Sequence, residues 1–354
     1  MSVDDQMDGA IVRTVTGDRA AADFAAVMIH EHVLFDIVPP AMGGAPNDTI
    51  HLHNRWQVNY GSNAVAANAH QRDPAIAIAE VAALKADGGD LIVDQSVHGL
   101  ARDPAGLRQV ATATGCAIVA SAGTYTAPYL DAATLQMAEG ALEARFIQEV
   151  CQGLDGTDVR AGLIGEIGCS FPLEPIEARA LKAAARASVI TGAGLSIHPG
   201  RDPRAPFEIV TLLEREGADL SRCVICHMDR TYPDGIGPLE LAGTGVNVEW
   251  DFFGVETSHY WMDPDVELPT DRARLRTIRR LFDAGLSDRV LISQDICTKT
   301  RLQSFGGHGY GHILRNVRAL MARVGYSLAE IDRLIRLNPL RVLAIPHATA
   351  APTE

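Results

Sequence analysis

No run in this 354-residue sequence stays apolar for the length a bilayer crossing demands. Positive charge is scarce as well: 31 Lys and Arg stand against 44 Asp and Glu, a formal net charge of −13. So acidic a surface repels nucleic-acid phosphates and anionic lipid, and neither is an expected partner. The first residues, Met1-Ser-Val-Asp-Asp-Gln-Met-Asp-Gly9, are acidic where a secretory leader is basic and then apolar, so the expected location is the cytoplasm. Six cysteines (Cys116, Cys151, Cys169, Cys223, Cys226 and Cys297) are too few in this length for a disulfide framework and read as small core residues. Low-complexity composition is missing too. Hydrophobic residues at 47% and charged residues at 21% are ordinary globular usage, which excludes disorder. The length then fits a single large α/β domain over residues 1–354.

There is no sequence repeat, but there is a rhythm. Short apolar, β-branched runs recur: 26–30, 90–94, 117–121, 162–166, 194–198, 223–227, 245–249 and 289–293. Continuous apolar strands suit a parallel sheet covered on both faces. Helical periodicity lies between them, as in Pro175–Thr191, Ala205–Glu216, Pro269–Ala284 and Tyr310–Val324. Eight such units predict a (β/α)8 TIM barrel. The spare length falls in a long first loop, 33–75, and in a C-terminal tail of short helices, 327–345. A doubly wound sheet is the structural alternative, but the Gly-rich fingerprint it needs after the first strand is missing.

The ends of the runs carry the chemistry. Run one closes in His30-Glu-His32, run four in Glu166, run five in His198, run six in His227, and Asp295 follows run eight. In a barrel all of these lie at the C-terminal rim, where active sites are built. His30 and His32 are two apart, so on a strand both point to one face. Four imidazoles and two carboxylates form a nitrogen/oxygen site for zinc, manganese, cobalt or iron rather than soft copper. Six ligands exceed what one tetrahedral ion needs. They fit two divalent ions per chain, bridged by Glu166 and a hydroxide, with Asp295 both ligand and general base.

Two other motifs are set aside. Cys223-Val-Ile-Cys226-His227 spells a haem-attachment pattern, yet it lies on an apolar run of a chain read as intracellular. His51-Leu-His53 repeats the His-x-His spacing but sits among polar residues of the first loop, where a surface position is expected. No Gly-x-Ser-x-Gly elbow offers a nucleophilic serine.

Taken in order, several stretches carry a family likeness. They are Ile29-His-Glu-His32, Gly88-Gly-Asp-Leu-Ile-Val-Asp94, Gly99-Leu-Ala-Arg-Asp103, Gly123-Thr-Tyr125 and Ile164-Gly-Glu-Ile-Gly168. His198-Pro-Gly-Arg201, His227-Met-Asp-Arg-Thr231, Ser293-Gln-Asp-Ile-Cys-Thr-Lys-Thr-Arg301 and Gly306-Gly-His-Gly-Tyr310 continue them. Over nearly its whole length the chain resembles the phosphotriesterase family of the amidohydrolase superfamily, and within it the branch called phosphotriesterase-related protein. The resemblance implies two divalent metals on His30, His32, His198, His227 and Asp295, and a homodimer. Members that cleave organophosphates and lactones bridge their metals with a carboxylated lysine at the end of strand four, where this chain has Glu166. That departure weakens the expectation of phosphotriesterase activity. In the glutamate-bearing branch the resemblance points to carboxylic amides or esters, with N-acyl amino acids or N-acyltaurine as candidates.

The expected function is therefore a metal-dependent hydrolase acting on a small, anionic substrate. Arg201 and Arg230 each follow a ligand histidine by three and are candidates for holding its charge. Their alternative is pairing with Asp202 or Asp229. Tyr125, at the end of strand three, is a further candidate for substrate contact. The rival enzyme activities are lactonase and phosphotriesterase. Outside enzymes the rival is a non-catalytic metal- or ligand-binding barrel.

Overall fold

The apolar runs do become strands of one sheet. The computed structural model describes residues 9–38, 49–61, 66–257, 259–260 and 262–345. Eight strands lie side by side in chain order and all pair in parallel. They are β1 (Val27–Glu31), β2 (Leu91–Asp94), β3 (Ala117–Ala122), β4 (Leu163–Gly168), β5 (Gly194–His198), β6 (Cys223–Ile225), β7 (Asn247–Trp250) and β8 (Val290–Ile292). The seam between β8 and β1 is closed by His30 N donating to Ser293 Oγ at 2.9 Å and Asp295 N to His30 O at 3.0 Å. This is the expected TIM barrel.

Helices follow the strands, and their starts are written in the sequence. Asp73 caps α1 (Pro74–Ala86) and Asp103 caps α2 (Pro104–Thr114), each with proline in the first turn. After α3 (Glu139–Cys151), α4 (Pro175–Thr191) has a Glu174/Glu177 capping box and stops at Gly192, whose φ of 73° a side chain resists. Its limits match the expectation, whereas α5 (Ala205–Arg215) ends one residue early. The helix expected from Pro269 begins as α6 at Asp271, because Thr270 is spent capping it through Ala273 N. The helix expected from Tyr310 starts at His312 and passes through a π-helical turn, Ile313–Val317.

Two plugs seal the floor of the barrel. An unexpected N-terminal hairpin pairs Ile11–Thr14 with Gly17–Ala20. The C-terminal tail forms the short helices expected there, Leu328–Asp332 and Asn338–Leu343. Leu340, Val342 and Leu343 of the tail, with Val12 and Phe24, join Val27, Ile29, Leu91, Val119 and Leu291 of the strands in one buried cluster. Burying these side chains is the main drive for closing the barrel end, at about 25 cal/mol per Å² of apolar surface. The long first loop holds a helix, Arg55–Gly61, and a two-residue pairing of Phe35–Asp36 with His70–Gln71. Residues 39–48 and 62–65 of this loop lie outside the described residues.

The strand pairing is irregular in two places. Register shifts between Met28 and Glu31 in β1, and between Ile164 and Ile167 in β4. Val27 and Ile29 lie in the cluster inside the barrel and Met28 in the outer one, so strict alternation would turn His30 towards the helices. The irregularity re-aims it inward. Leu163 inside and Ile164 outside set the same problem for Glu166, with the same solution.

Candidate metal centre

All six rim residues meet. Glu166 is the hub, and its two oxygens face different partners. Oε1 lies 3.5 Å from His32 Nε2, while Oε2 lies 2.9 Å from His198 Nδ1, 3.3 Å from His227 Nε2 and 3.7 Å from His30 Nε2. Asp295 Oδ1 is 3.2 Å from His32 Nε2 and 3.9 Å from His30 Nε2. Glu166 and Arg160 do not pair; Arg160 is taken by Asp18. His227 and Asp295 both adopt left-handed backbone, with φ of 60° and 45°. Such conformations cost of order 1–3 kcal/mol each and persist where surrounding contacts enforce them. At Asp295 the enforcing group is Glu31, whose carboxylate accepts from the backbone N–H of Gln294 and Ile296 on either side.

Three of the four imidazoles are turned by an acceptor on their outward nitrogen. His30 Nδ1 faces Glu249 Oε2 at 3.1 Å, His32 Nδ1 faces Ser96 Oγ at 3.0 Å, and His227 Nδ1 faces Asp251 Oδ1 at 2.9 Å. A proton held on Nδ1 would leave the Nε2 lone pair for an ion at the centre. Glu249 and Asp251 come from β7 and the residue after it. The sequence reading missed both, although Glu249 closes the seventh run as Glu166 closes the fourth.

The donor set fits divalent cations. His30 Nε2 is fully buried without a hydrogen-bond partner. His198 Nδ1 and His227 Nε2 approach to 2.9 Å, with the other nitrogen of His227 already committed to Asp251. The ligand atoms of His30, His32 and Asp295 lie within 4.8 Å of one another, as do those of His30, Glu166 and His227. All are nitrogen or oxygen.

Burial and charge shape the ionisation. Burial opposes ionising Glu166, but His198, with His227 and His32, holds its carboxyl well below the usual range. Burial likewise opposes Asp295, yet His32, with His30 and His227, brings it down to about 2. Both are anionic at neutral pH. Burial pushes the His198 imidazole down to about 3, with the charges of His227 and Arg230 adding to it against Glu166.

A cavity of about 550 Å³ opens over the cluster, lined among others by Tyr125, Arg201, Arg230, Phe252 and Val255. Tyr125 Oη lies 3.5 Å from His198 Nδ1. The carboxylates weighed as partners of the two arginines are taken elsewhere: Asp202 by Arg204, and Asp229 by the buried Arg274. Arg201 contacts Met262 Sδ at 3.7 Å, and Arg230 donates to Pro199 O at 2.8 Å. Neither forms an ion pair among the described residues. Of the motifs set aside, Cys223 and Cys226 are buried in the barrel wall, and His51 and His53 are exposed on the first loop.

The sequence profile of the phosphotriesterase family matches residues 10–343. Over 335 residues the chain is 38% identical to the N-acetyltaurine hydrolase of Rattus norvegicus, covering 93% of this chain and 96% of that one. It is 35% identical over 343 residues to the phosphotriesterase-related protein of Nematostella vectensis, covering 94% and 98%. Among solved structures it is similar to a resiniferatoxin-binding protein from Rhodobacter sphaeroides, with a TM-score of 0.88, 32% identity, and 94% and 95% of the two chains covered. Profile, relatives and barrel agree: this chain is a hydrolase that belongs to the phosphotriesterase family of the amidohydrolase superfamily.

Proposed function

We propose that the chain hydrolyses carboxylic amides or esters with two divalent ions, acting on N-acyl amino acids or N-acyltaurines. The observation that carries this reading is the split use of Glu166, one oxygen towards His32 and the other towards His198 and His227. A carboxylate so placed joins two ligand sets without a carboxylated lysine. Zinc is the first ion proposed, with manganese, cobalt and iron as alternatives. Bound there, the ions would supply Lewis-acid polarisation of the acyl oxygen and a water made acidic enough to attack at neutral pH.

The chain's own residues do the rest. Asp295, an anion at neutral pH beside His32, accepts the proton of the attacking water and passes it to the leaving amine or alcohol. Arg201 and Arg230 hold an anionic group of the substrate, and Tyr125 adds a hydrogen bond above His198. Phe252 and Val255 keep that part of the cavity apolar. The relatives named N-acetyltaurine hydrolase support an anionic amide as substrate. The family likeness supports a small-molecule substrate and a homodimer, the net charge of −13 argues against a nucleic-acid partner, and the cytoplasm is the location proposed.

A substrate panel on the Zn- or Mn-loaded protein tests this. Turnover of N-acyl amino acids and N-acetyltaurine above lactones and paraoxon is expected. Turnover confined to a lactone or paraoxon would transfer the protein to that activity. No metal-dependent turnover of any of these, p-nitrophenyl acetate included, would make it a non-catalytic barrel.

A further inference from the structure

His198 differs from the other three imidazoles in what stands behind it. The outward nitrogens of His30, His32 and His227 face Glu249, Ser96 and Asp251, all of which accept an N–H. The outward nitrogen of His198, Nε2, lies 3.1 Å from Arg230 Nη2, and a guanidinium only donates. If Nδ1, beside Glu166 and His227, ligates an ion, the ring's proton rests on Nε2. That N–H then meets the N–H of a cation. A positive charge at this edge draws electron density from the ring and weakens it as a ligand, the reverse of what a carboxylate does.

Arg230 finds little relief elsewhere. It is 2% exposed, and no carboxylate pairs with it among the described residues. Nη2 donates to Pro199 O, while Nη1 is buried without any partner. A buried guanidinium lacking a counter-anion is costly to keep. Its position on the cavity wall supplies the reason for keeping it, since an anion entering the cavity can complete it.

We propose that Arg230 gates the ion held by His198 and His227, so that this ion is bound tightly only when an anionic group occupies the cavity beside Arg230. The gate rests on the two-ion amide hydrolase reading. The anion neutralises the guanidinium and turns it away from the ring edge, and the opposition to His198 as a ligand falls. Linkage makes the effect mutual: the anion tightens the ion, and the ion tightens the anion by the same factor. The substrates this favours carry their negative charge close to the scissile bond, because one imidazole ring separates Arg230 from Glu166. The other ion, on His30, His32 and Asp295, has no cation against its ligand rings among the described residues and stays bound regardless.

The test reads Zn²⁺ affinity, not turnover. Chelator competition on the full chain at constant ionic strength, with and without methanesulfonate, resolves a tighter and a weaker ion. Methanesulfonate should tighten the weaker ion by about fivefold or more in the wild type. Arg230→Met, which keeps the stem and removes the charge, should hold that ion more tightly than wild type and ignore methanesulfonate. Arg230→Lys keeps the charge and should keep the weak ion, a sorting by charge that loss of packing does not produce. An Arg230→Met protein whose weaker ion is unchanged or looser overturns the gate, as does an equal methanesulfonate response in wild type and Arg230→Met. If the wild type takes up only one ion, the two-ion reading falls and the gate with it. Two ions with unresponsive affinities sink the gate alone.

Discussion

His30 Nδ1 lies 3.1 Å from Glu249 Oε2, while the other nitrogen of the same ring is buried with no hydrogen-bond partner. The carboxylate of this β7 residue holds the ring so that its other nitrogen faces the centre. Glu249→Gln keeps the shape and an acceptor oxygen but loses the charge. It should lower the affinity for the ion on His30 by about 10–100-fold in chelator competition. Wild-type affinity in this variant would leave Glu249 with only a structural part.

Asp295→Asn should remove turnover while most of the metal stays, because asparagine still offers an oxygen but accepts no proton. Loss of a general base costs about 10²–10⁴ in rate. A variant that keeps more than about a tenth of the wild-type kcat, outside that range, would take Asp295 out of the mechanism.

Glu166→Gln should weaken at least one ion and lower activity together, since an amide is a poor bridge between two cations. Glu166→Lys is the sharper variant. Bicarbonate should restore part of its metal binding by carboxylating the new side chain, as in the lysine-bearing members of the family. A Glu166→Gln protein that binds two ions with wild-type affinity would end the assignment of the bridge.

The metal-stripped protein should be sensitive to alkali. Burial opposes charge on His32, but its hydrogen bonds to Asp295 and Glu166 raise it from 6.5 to about 9. A group whose pKa is raised by folding stabilises fully below its unfolded value and loses that contribution as pH climbs through the folded one. Glu31, pushed up to about 7 by burial, acts in the same sense over a lower range. The melting temperature of stripped protein should therefore fall between pH 7 and pH 9. The loaded protein, with the His32 lone pair engaged, should lose less. Equal melting temperatures for stripped protein at the two values would contradict the proton on His32.

Much of the centre was legible because each candidate ligand lies at or just past the end of an apolar run, and in a parallel barrel every run ends at the same rim. That logic placed His30, His32, Glu166, His198, His227 and Asp295 without any knowledge of contacts. Glu249 ends the seventh run in the same way and was still passed over, as was Asp251, because an orienting carboxylate carries no sequence signal that separates it from any other strand-end acid. The register shifts that turn His30 and Glu166 inward were not legible, since strict alternation predicts the opposite face. Arg274 escaped for another reason. Its helix reads as a charged amphipathic surface, and only tertiary packing puts this arginine at 0% exposure between Asp229 and Asp271. The N-terminal hairpin was hidden because Gly17-Asp-Arg-Ala20 is exposed and polar, which reads as loop.

Metal stoichiometry bears most directly on the central claim, that Glu166 joins two ligand sets. Elemental analysis of protein purified metal-replete, without chelator, should give close to two divalent ions per chain. A ratio that settles at one or below would contradict the binuclear centre.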